Sequence, residues 1–345
     1  MRSIAVALLA LFAASPLVAQ EAPKYRTTGK ITVSDPALRN LIDETAPIEI
    51  ISEGYNWSEG PLWVQDSTVA GGGFLIWSDV PENRIFKWVE GQDTRPVVYM
   101  EHSGYTGLGT YSRERGSNGL NVDKNGNIYF AEHGDRRISV MKPGYGKKTV
   151  ADGYQGKRFN SPNDIEIASN GNLYITDPSY GLPQDPAVKE LSFNGVYLIR
   201  PSGEVVLLTD EFEAPNGVGL SPDEKTLYVA QSSFRQPIWK AFDVKADGTI
   251  ANGRVLLNAQ QAGLTGNGGP DGLEVSADGT IWSSGPGGVV IISPQGKLLG
   301  RIEVQTSQNL SNTAFGGADG SYLYMTNDSY ILRVKTRTRG MRWKK

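Results

Sequence analysis

Six segments of this chain open on an oxygen-bearing residue, and each carries Asp or Asn seven positions later. They read EGPLWVQDS (59–67), NGLNVDKNG (118–126), NDIEIASNG (163–171), NGVGLSPDE (216–224), DGLEVSADG (271–279) and NTAFGGADG (312–320). In four copies the residues two and four after the opening one are both apolar: Leu120/Val122, Ile165/Ile167, Val218/Leu220 and Leu273/Val275. That alternation marks a strand with one buried face. Each copy then turns into a second β-rich run with Trp77, Tyr129, Tyr174, Tyr228, Trp282 or Tyr324 in matching places. A third and fourth run follow, as in VYLIRPSGEVVLLTD (196–210).

Four antiparallel strands repeated six times, at roughly 50-residue spacing, describe an all-β six-bladed β-propeller of four-stranded blades. Two packed sandwiches would not explain six units in one phase. The sixth copy ends after its third strand, YILRVKT (330–336), whereas PIEIISEG (47–54) precedes the first copy. The N-terminal strand is therefore expected to complete the last blade and to remove an exposed edge.

This places the propeller at 47–336, an N-terminal arm with one helical turn near PALRNLIDE at 20–46, and a basic tail at 337–345, read as a solvated terminus. Residues 1–19 read as a signal peptide: Arg2, an apolar run from Ile4 to Ala14, then Leu17-Val18-Ala19. Cleavage is expected after Ala19, with a periplasmic or secreted product that has no membrane partner in its mature form. The 345 residues contain no cysteine, which excludes disulfides, thiolate metal sites and cysteine nucleophiles. A balance of 34 Lys+Arg against 37 Asp+Glu gives no reason to expect nucleic acid as a partner. The sequence carries no signal of oligomeric state.

First strands run from opening residue to turn, and second strands return, so the six opening residues share one face and the turns share the other. Innermost strands line a propeller's channel, which brings Glu59, Asn118, Asn163, Asn216, Asp271 and Asn312 to one mouth. Asn125, Asn170, Asp223, Asp278 and Asp319 read as turn residues of the opposite face. Glu59 and Asp271 stand apart, because a turn alone does not call for acids. Two carboxylates with several amide oxygens form an all-oxygen nest for one hard divalent cation, Ca²⁺ first, with Zn²⁺, Mn²⁺ or Mg²⁺ as alternatives.

At these residues the chain resembles the gluconolactonase/regucalcin family of six-bladed propeller hydrolases, and more distantly the paraoxonases. The motifs that carry the likeness are SEGPLW, GSNGLNVDKNGNIYFAEHGDRR, SPNDIEIASNGNLYITDPSYG, APNGVGLSPDEKTLYVA, GPDGLEVSADGTIWSSGPGG and NTAFGGADG, together spanning 58 to 320. The resemblance implies a catalytic divalent ion held by Glu59 of EGP, Asn216 of PNG and Asp271 of PDG, with Asn163 at the ion or its bound substrate. It implies substrate contacts at Asn118 and His133, and a loop at the same mouth carrying Asp177 and Tyr180. Regucalcin-like members carry Arg just before the third-copy Asn, where this chain has Ser161-Pro162.

The implied reaction is hydrolysis of a small-molecule lactone, a sugar-acid lactone such as gluconolactone, with water as nucleophile. Asp271 reaches both ion and water and is the expected base; His133, which titrates near neutrality, is the alternative. A metal-dependent phosphotriesterase or aryl esterase on the same site remains open, because fold and ion do not choose the scissile bond. So does a non-enzymatic binding propeller. A GxSxG elbow is absent, and GYTGLG lacks the Lys-Ser/Thr of a phosphate loop.

Overall fold

The computed structural model describes residues 25–91, 95–109, 111–142 and 144–343. The expected signal peptide, the first residues of the arm and the last two of the tail lie outside the described residues. The chain is all-β and propeller-like. In the third copy the first strand, Ile165–Ile167, pairs antiparallel with Leu173–Asp177 in the register Ile165↔Ile175, and Gly195–Ile199 and Val205–Thr209 follow outward. The turn between the first two strands is closed by Asn170, whose Oδ1 accepts from Asn172 N at 2.9 Å, and by Gly171 at φ +87°. A positive φ suits glycine, so the expectation of a turn holds there.

Five sheets have four or more strands. Sequence periodicity leads to six, and the difference has a local cause. The strand Glu49–Gln65 pairs through its first half with Tyr330–Arg333 and through its second half with Gly73–Asp79. Tyr322–Lys335 likewise pairs with Asn312–Gly316 before turning to residues 49–53. Two uninterrupted strands thus fuse what the sequence reads as two units into one six-stranded sheet, with register shifts where the pairing changes hands.

The arm has the expected helical turn and, in addition, a strand; the tail differs from the sequence reading. The helical turn is the 3-10 helix Pro36–Asn40, capped by Asp35, and it buries Leu38 completely. The strand before it, Lys30–Val33, adds a fifth strand to the sheet of the fifth copy by pairing with residues 300–303. The tail is not a free terminus. Gly340 bridges to Ser276, Arg339 O accepts from Ala277 N at 2.8 Å, and Gly340 N donates to Gly320 O at 3.1 Å. The helical turn Met341–Trp343 is thereby laid over the turn face, with Trp343 packed partly buried against the core.

The apolar core lies between successive units. Leu62, Phe74 and Ile76 pack on Leu120, Ile128 and Phe130; Val196 and Leu198 pack on Val218, Leu227 and Val229. Trp63, Trp77, Trp88 and Tyr324 fill the junction between the last copy and the first. Stacking of this kind leaves the axis to polar residues.

Candidate active site

Each innermost strand begins beside the start of the next. Gly60 adopts φ +48°, and a Cβ there would overlap the carbonyl of Asn118. A Cβ on Gly272 would overlap the side chain of Asn312. The glycine after the opening residue is therefore a packing requirement of the axis as well as a backbone preference. Gly119 N donates to Asn163 O at 2.7 Å and Gly217 N to Asp271 O at 3.2 Å, which ties neighbouring copies together. The third copy has Asp164 in place of that glycine. Its carboxylate accepts from Ile165 N at 2.9 Å and from Val218 N of the next copy at 3.2 Å, so a side chain does there what close backbone approach does elsewhere.

Hydroxyls complete the seam, four at the ends of second strands and one, Ser311, just before an opening residue. Ser78 Oγ donates to Asn118 O at 3.0 Å, Thr176 Oγ1 to Asn216 O at 2.6 Å and Ser232 Oγ to Pro270 O at 2.6 Å. Ser284 Oγ donates to Ser311 O at 2.7 Å, and Ser311 Oγ to Ser58 O at 2.8 Å. These bonds fix the height at which each opening residue meets the axis.

The carboxylates of Glu59 and Asp271 face the same space. Burial pushes the pKa of Glu59 well above the usual carboxylate range, and the charges of Asp271 and then Asp164 add to it. Burial also pushes Asp271 well up, followed by the charges of Asp164, Glu114 and Asp328, while the amide of Asn216 opposes the shift. Weak donors alone answer Glu59: Trp57 Nε1 at 3.4 Å and its neighbour Gly60 N at 3.3 Å. Asn216 Nδ2 donates to Ser232 Oγ at 3.0 Å. Asn118 Oδ1 is buried without a partner, and the side chain of Asn163 makes no hydrogen bond among the described residues.

These donors fit a hard cation. Two acids whose ionisation costs heavily when they stand unpaired, an orphaned amide oxygen and two further amides make an oxygen-only set. No cluster of three or more His, Asp or Glu side chains that could hold a metal occurs among the described residues.

Tyr180 reaches this group from the loop after Asp177. The residue as a whole is exposed, but its hydroxyl lies against Ser232 and Asn216 and near Asp271 and Glu114, and the protein around that end raises its pKa, so it stays protonated through neutral pH. His133 and Asp177 are placed differently. His133 is fully buried, its Nδ1 meets Glu114 O at 3.2 Å, and burial lowers its pKa to about 4. Its Nε2 is buried without a partner. Asp177 is also fully buried, and its Oδ2 accepts from Asn160 N at 2.8 Å. The charges that act on it are those of Lys189 and Arg136, not those of Glu59 or Asp271. It braces the loop 160–163 from behind. Sequence reasoning passed over Glu114, whose carboxyl is raised to about 7 by burial and which lies outside the repeated motif.

A cavity of about 720 Å³ occupies the axis beneath the opening residues and widens to the turn face. Gly60, Asp164 and Asn312 stand at its inner limit, Glu166 and Glu274 along its wall, and Met341 and Arg342 at its outer end. It therefore lies behind the paired acids, on the far side from Tyr180 and Glu114.

An all-β, propeller-like chain with acids and amides gathered at one end of its axis falls among the axial-site propeller enzymes. Within that class the chain belongs to the SMP-30/Gluconolactonase/LRE-like family, whose sequence profile matches residues 57–329. It is 38% identical over 325 residues to a gluconolactonase of Zymomonas mobilis, covering 91% of this chain and 88% of that one. Among solved structures it resembles a gluconolactonase of Xanthomonas campestris, with a TM-score of 0.75, 28% identity and coverage of 92% and 99%. A regucalcin of Agrobacterium tumefaciens, described as a calcium-binding protein, shares the fold at a TM-score of 0.64 and 19% identity, over 84% of this chain and 94% of that one. The gluconolactonase relatives support hydrolysis of a lactone.

Proposed function

We propose that this protein is an exported, metal-dependent lactonase that opens sugar-acid lactones on a six-bladed propeller, the fused sheet counting as two blades. Six apolar clusters, one at each junction between successive copies, support that count. The observation that carries the functional reading is the convergence of the Glu59 and Asp271 carboxylates beside the amide of Asn216 at one end of the axis. Glu59, Asn163, Asn216 and Asp271 would hold one divalent cation, Ca²⁺ being the best match to an all-oxygen set. When bound, the ion supplies a Lewis acid for the lactone carbonyl and a counter-charge for the two acids.

The remaining work falls to side chains of the chain. Asp271, partly open to the mouth, takes the proton of the attacking water. Tyr180, protonated at its hydroxyl, donates to the oxygen that gains charge as the ring opens. Asn118 and Asn163 offer amides not committed to the protein for hydroxyl groups of a polyhydroxylated ring. His133, held neutral, supports the floor of the site and is the reserve base.

The test is a pH-stat assay over aldonolactones, aryl esters and phosphotriesters, run before chelation, after EDTA treatment and after Ca²⁺ return. Aldonolactone turnover should dominate, fall by at least about 100-fold on chelation and recover on return of the ion. Full activity in the chelated, metal-free protein would overturn the reading, as would a preference for the phosphotriester.

A further inference from the structure

Of the hydroxyls that staple one copy to the next, Ser232 also touches an opening side chain. Ser78, Thr176, Ser284 and Ser311 reach backbone carbonyls and make no hydrogen bond, among the described residues, to the side chains of Asn118, Asn163, Asn216 or Asp271. Ser232 Oγ lies 2.6 Å from Pro270 O and 3.0 Å from the amide of Asn216. The backbone under it is fixed by Ser232 N donating to Ala214 O at 3.0 Å.

The chemistry of these three groups settles the orientation of the amide. A carbonyl can only accept, so the single proton of Ser232 goes to Pro270 O. The Ser232 oxygen then has only lone pairs left for Asn216, and only the NH₂ side of an amide can meet them. Flipping the amide would set Oδ1 against those lone pairs and leave a polar clash in a partly buried place. With one proton of Nδ2 on Ser232 and the other side of the NH₂ toward Asp271, Oδ1 is the amide atom that accepts no hydrogen bond among the described residues, and it is the one left for a cation. Pro270 directly precedes Asp271, so the same hydroxyl ties the amide of one copy to the backbone that carries the acid of the next.

We propose that Ser232 is a positioning residue that orients Asn216 with Oδ1 available to a cation shared with Glu59 and Asp271, and thereby sets the affinity for that cation. The inference rests on the reading of this end of the axis as a cation site. It adds a residue that contacts neither ion nor substrate, and it makes a prediction that a merely structural serine would not.

The experiment is calorimetric titration of the full, chelator-stripped protein with Ca²⁺, in wild type, Ser232→Ala, Ser232→Thr, Asn216→Asp and the Asn216→Asp/Ser232→Ala pair. Loss of the hydroxyl frees the amide to rotate, and affinity should fall about 10–100-fold. Threonine restores the hydroxyl and should restore most of the affinity. A carboxylate at 216 has two equivalent oxygens and no orientation to set, so Ser232→Ala should cost it nothing. Unchanged affinity in Ser232→Ala, or equal losses with Asn and Asp at 216, would overturn the proposal while leaving the cation site standing. No binding by wild type of Ca²⁺, Zn²⁺, Mn²⁺ or Mg²⁺ would overturn both. Melting curves of the stripped proteins identify any variant that has lost its fold.

Discussion

The two ends of the axis are both acidic and are answered in different ways. At the end that carries the opening residues, the charge of Asp271 bears on Glu59, which has only weak donors, and the strong hydrogen bonds of the seam hold backbones rather than carboxylates. At the turn end, Glu166 and Glu274 also lack hydrogen bonds among the described residues, and burial raises both, Glu274 to about 7. There, however, the chain brings its own cation. Arg342 stands in the cavity opposite Glu274 and Glu166, accessible to solvent yet surrounded by protein, and that enclosure lowers its pKa while the two acids oppose the shift. One end is completed by the fold, and the other is left for something the fold does not supply. The contrast supports the proposed site without any appeal to cavity size, since the 720 Å³ space belongs to the turn end.

The sharpest way to break this comparison is to neutralise one acid at each end. Asp271→Asn should keep the fold and lower lactone turnover by about 10²–10⁴-fold, the range for removing a base. Asp278→Asn at the turn end should leave turnover near wild type. Asp278 accepts from Thr280 N at 3.1 Å and from the Thr338 hydroxyl, so its removal should appear as a small loss of melting temperature instead. Equal losses of turnover in the two variants would mean that the ends have been assigned wrongly.

A middle-sized effect is expected from removing the tail. Truncation after Arg339 takes away Arg342 and the partly buried Trp343, whose ring fits against Gly320 and Gly340. Burial of part of one aromatic side chain is worth about 1–3 kcal/mol, which corresponds to a drop of roughly 2–6 °C in a chain of this size. Turnover at the far end should not change. A large loss of lactone hydrolysis with an unaltered melting temperature would show that the two ends communicate, and the contrast drawn between them would fail.

What the sequence made legible is what is local. The opening residue, the alternating strand and the Asn/Asp turn recur within nine residues, so the hairpins at 165–177 and 273–285 and the shared end of Glu59 and Asp271 follow from chain order alone. What it hid depends on partners far away in sequence. Lys30–Val33 is a strand because it lies against residues 300–303, and the tail is ordered because Gly320 and Ser276 receive it. Periodicity could not see that residues 49–65 and 322–335 each run on as one strand. Side-chain direction was hidden too. Asp177, expected at the mouth, has its Oδ2 held by Asn160 N, whereas His133 spends Nδ1 on Glu114 O and leaves Nε2 without a partner.

Asp177 supplies the finest test, because it asks whether the wall behind the opening residues is part of the site. Its pKa is raised from 3.8 to about 7, chiefly by burial, with Asn160 and Ser161 opposing. A carboxyl raised on folding holds a proton in the native state that the unfolded chain has lost between about pH 4 and 7. Its contribution to stability is thus intact below pH 4, declines as pH rises through that window, and is lost above 7. His133 runs the other way: lowered to about 4, it costs stability as pH falls below 6.5, so the whole-protein profile mixes the two. The difference between wild type and Asp177→Asn isolates the carboxyl. The amide oxygen can still accept from Asn160 N, so the two proteins should melt alike at pH 4, with the variant gaining on the order of 4 kcal/mol by pH 8. KM for an aldonolactone should be unchanged. A raised KM with a flat stability difference would move Asp177 out of the wall and into contact with substrate.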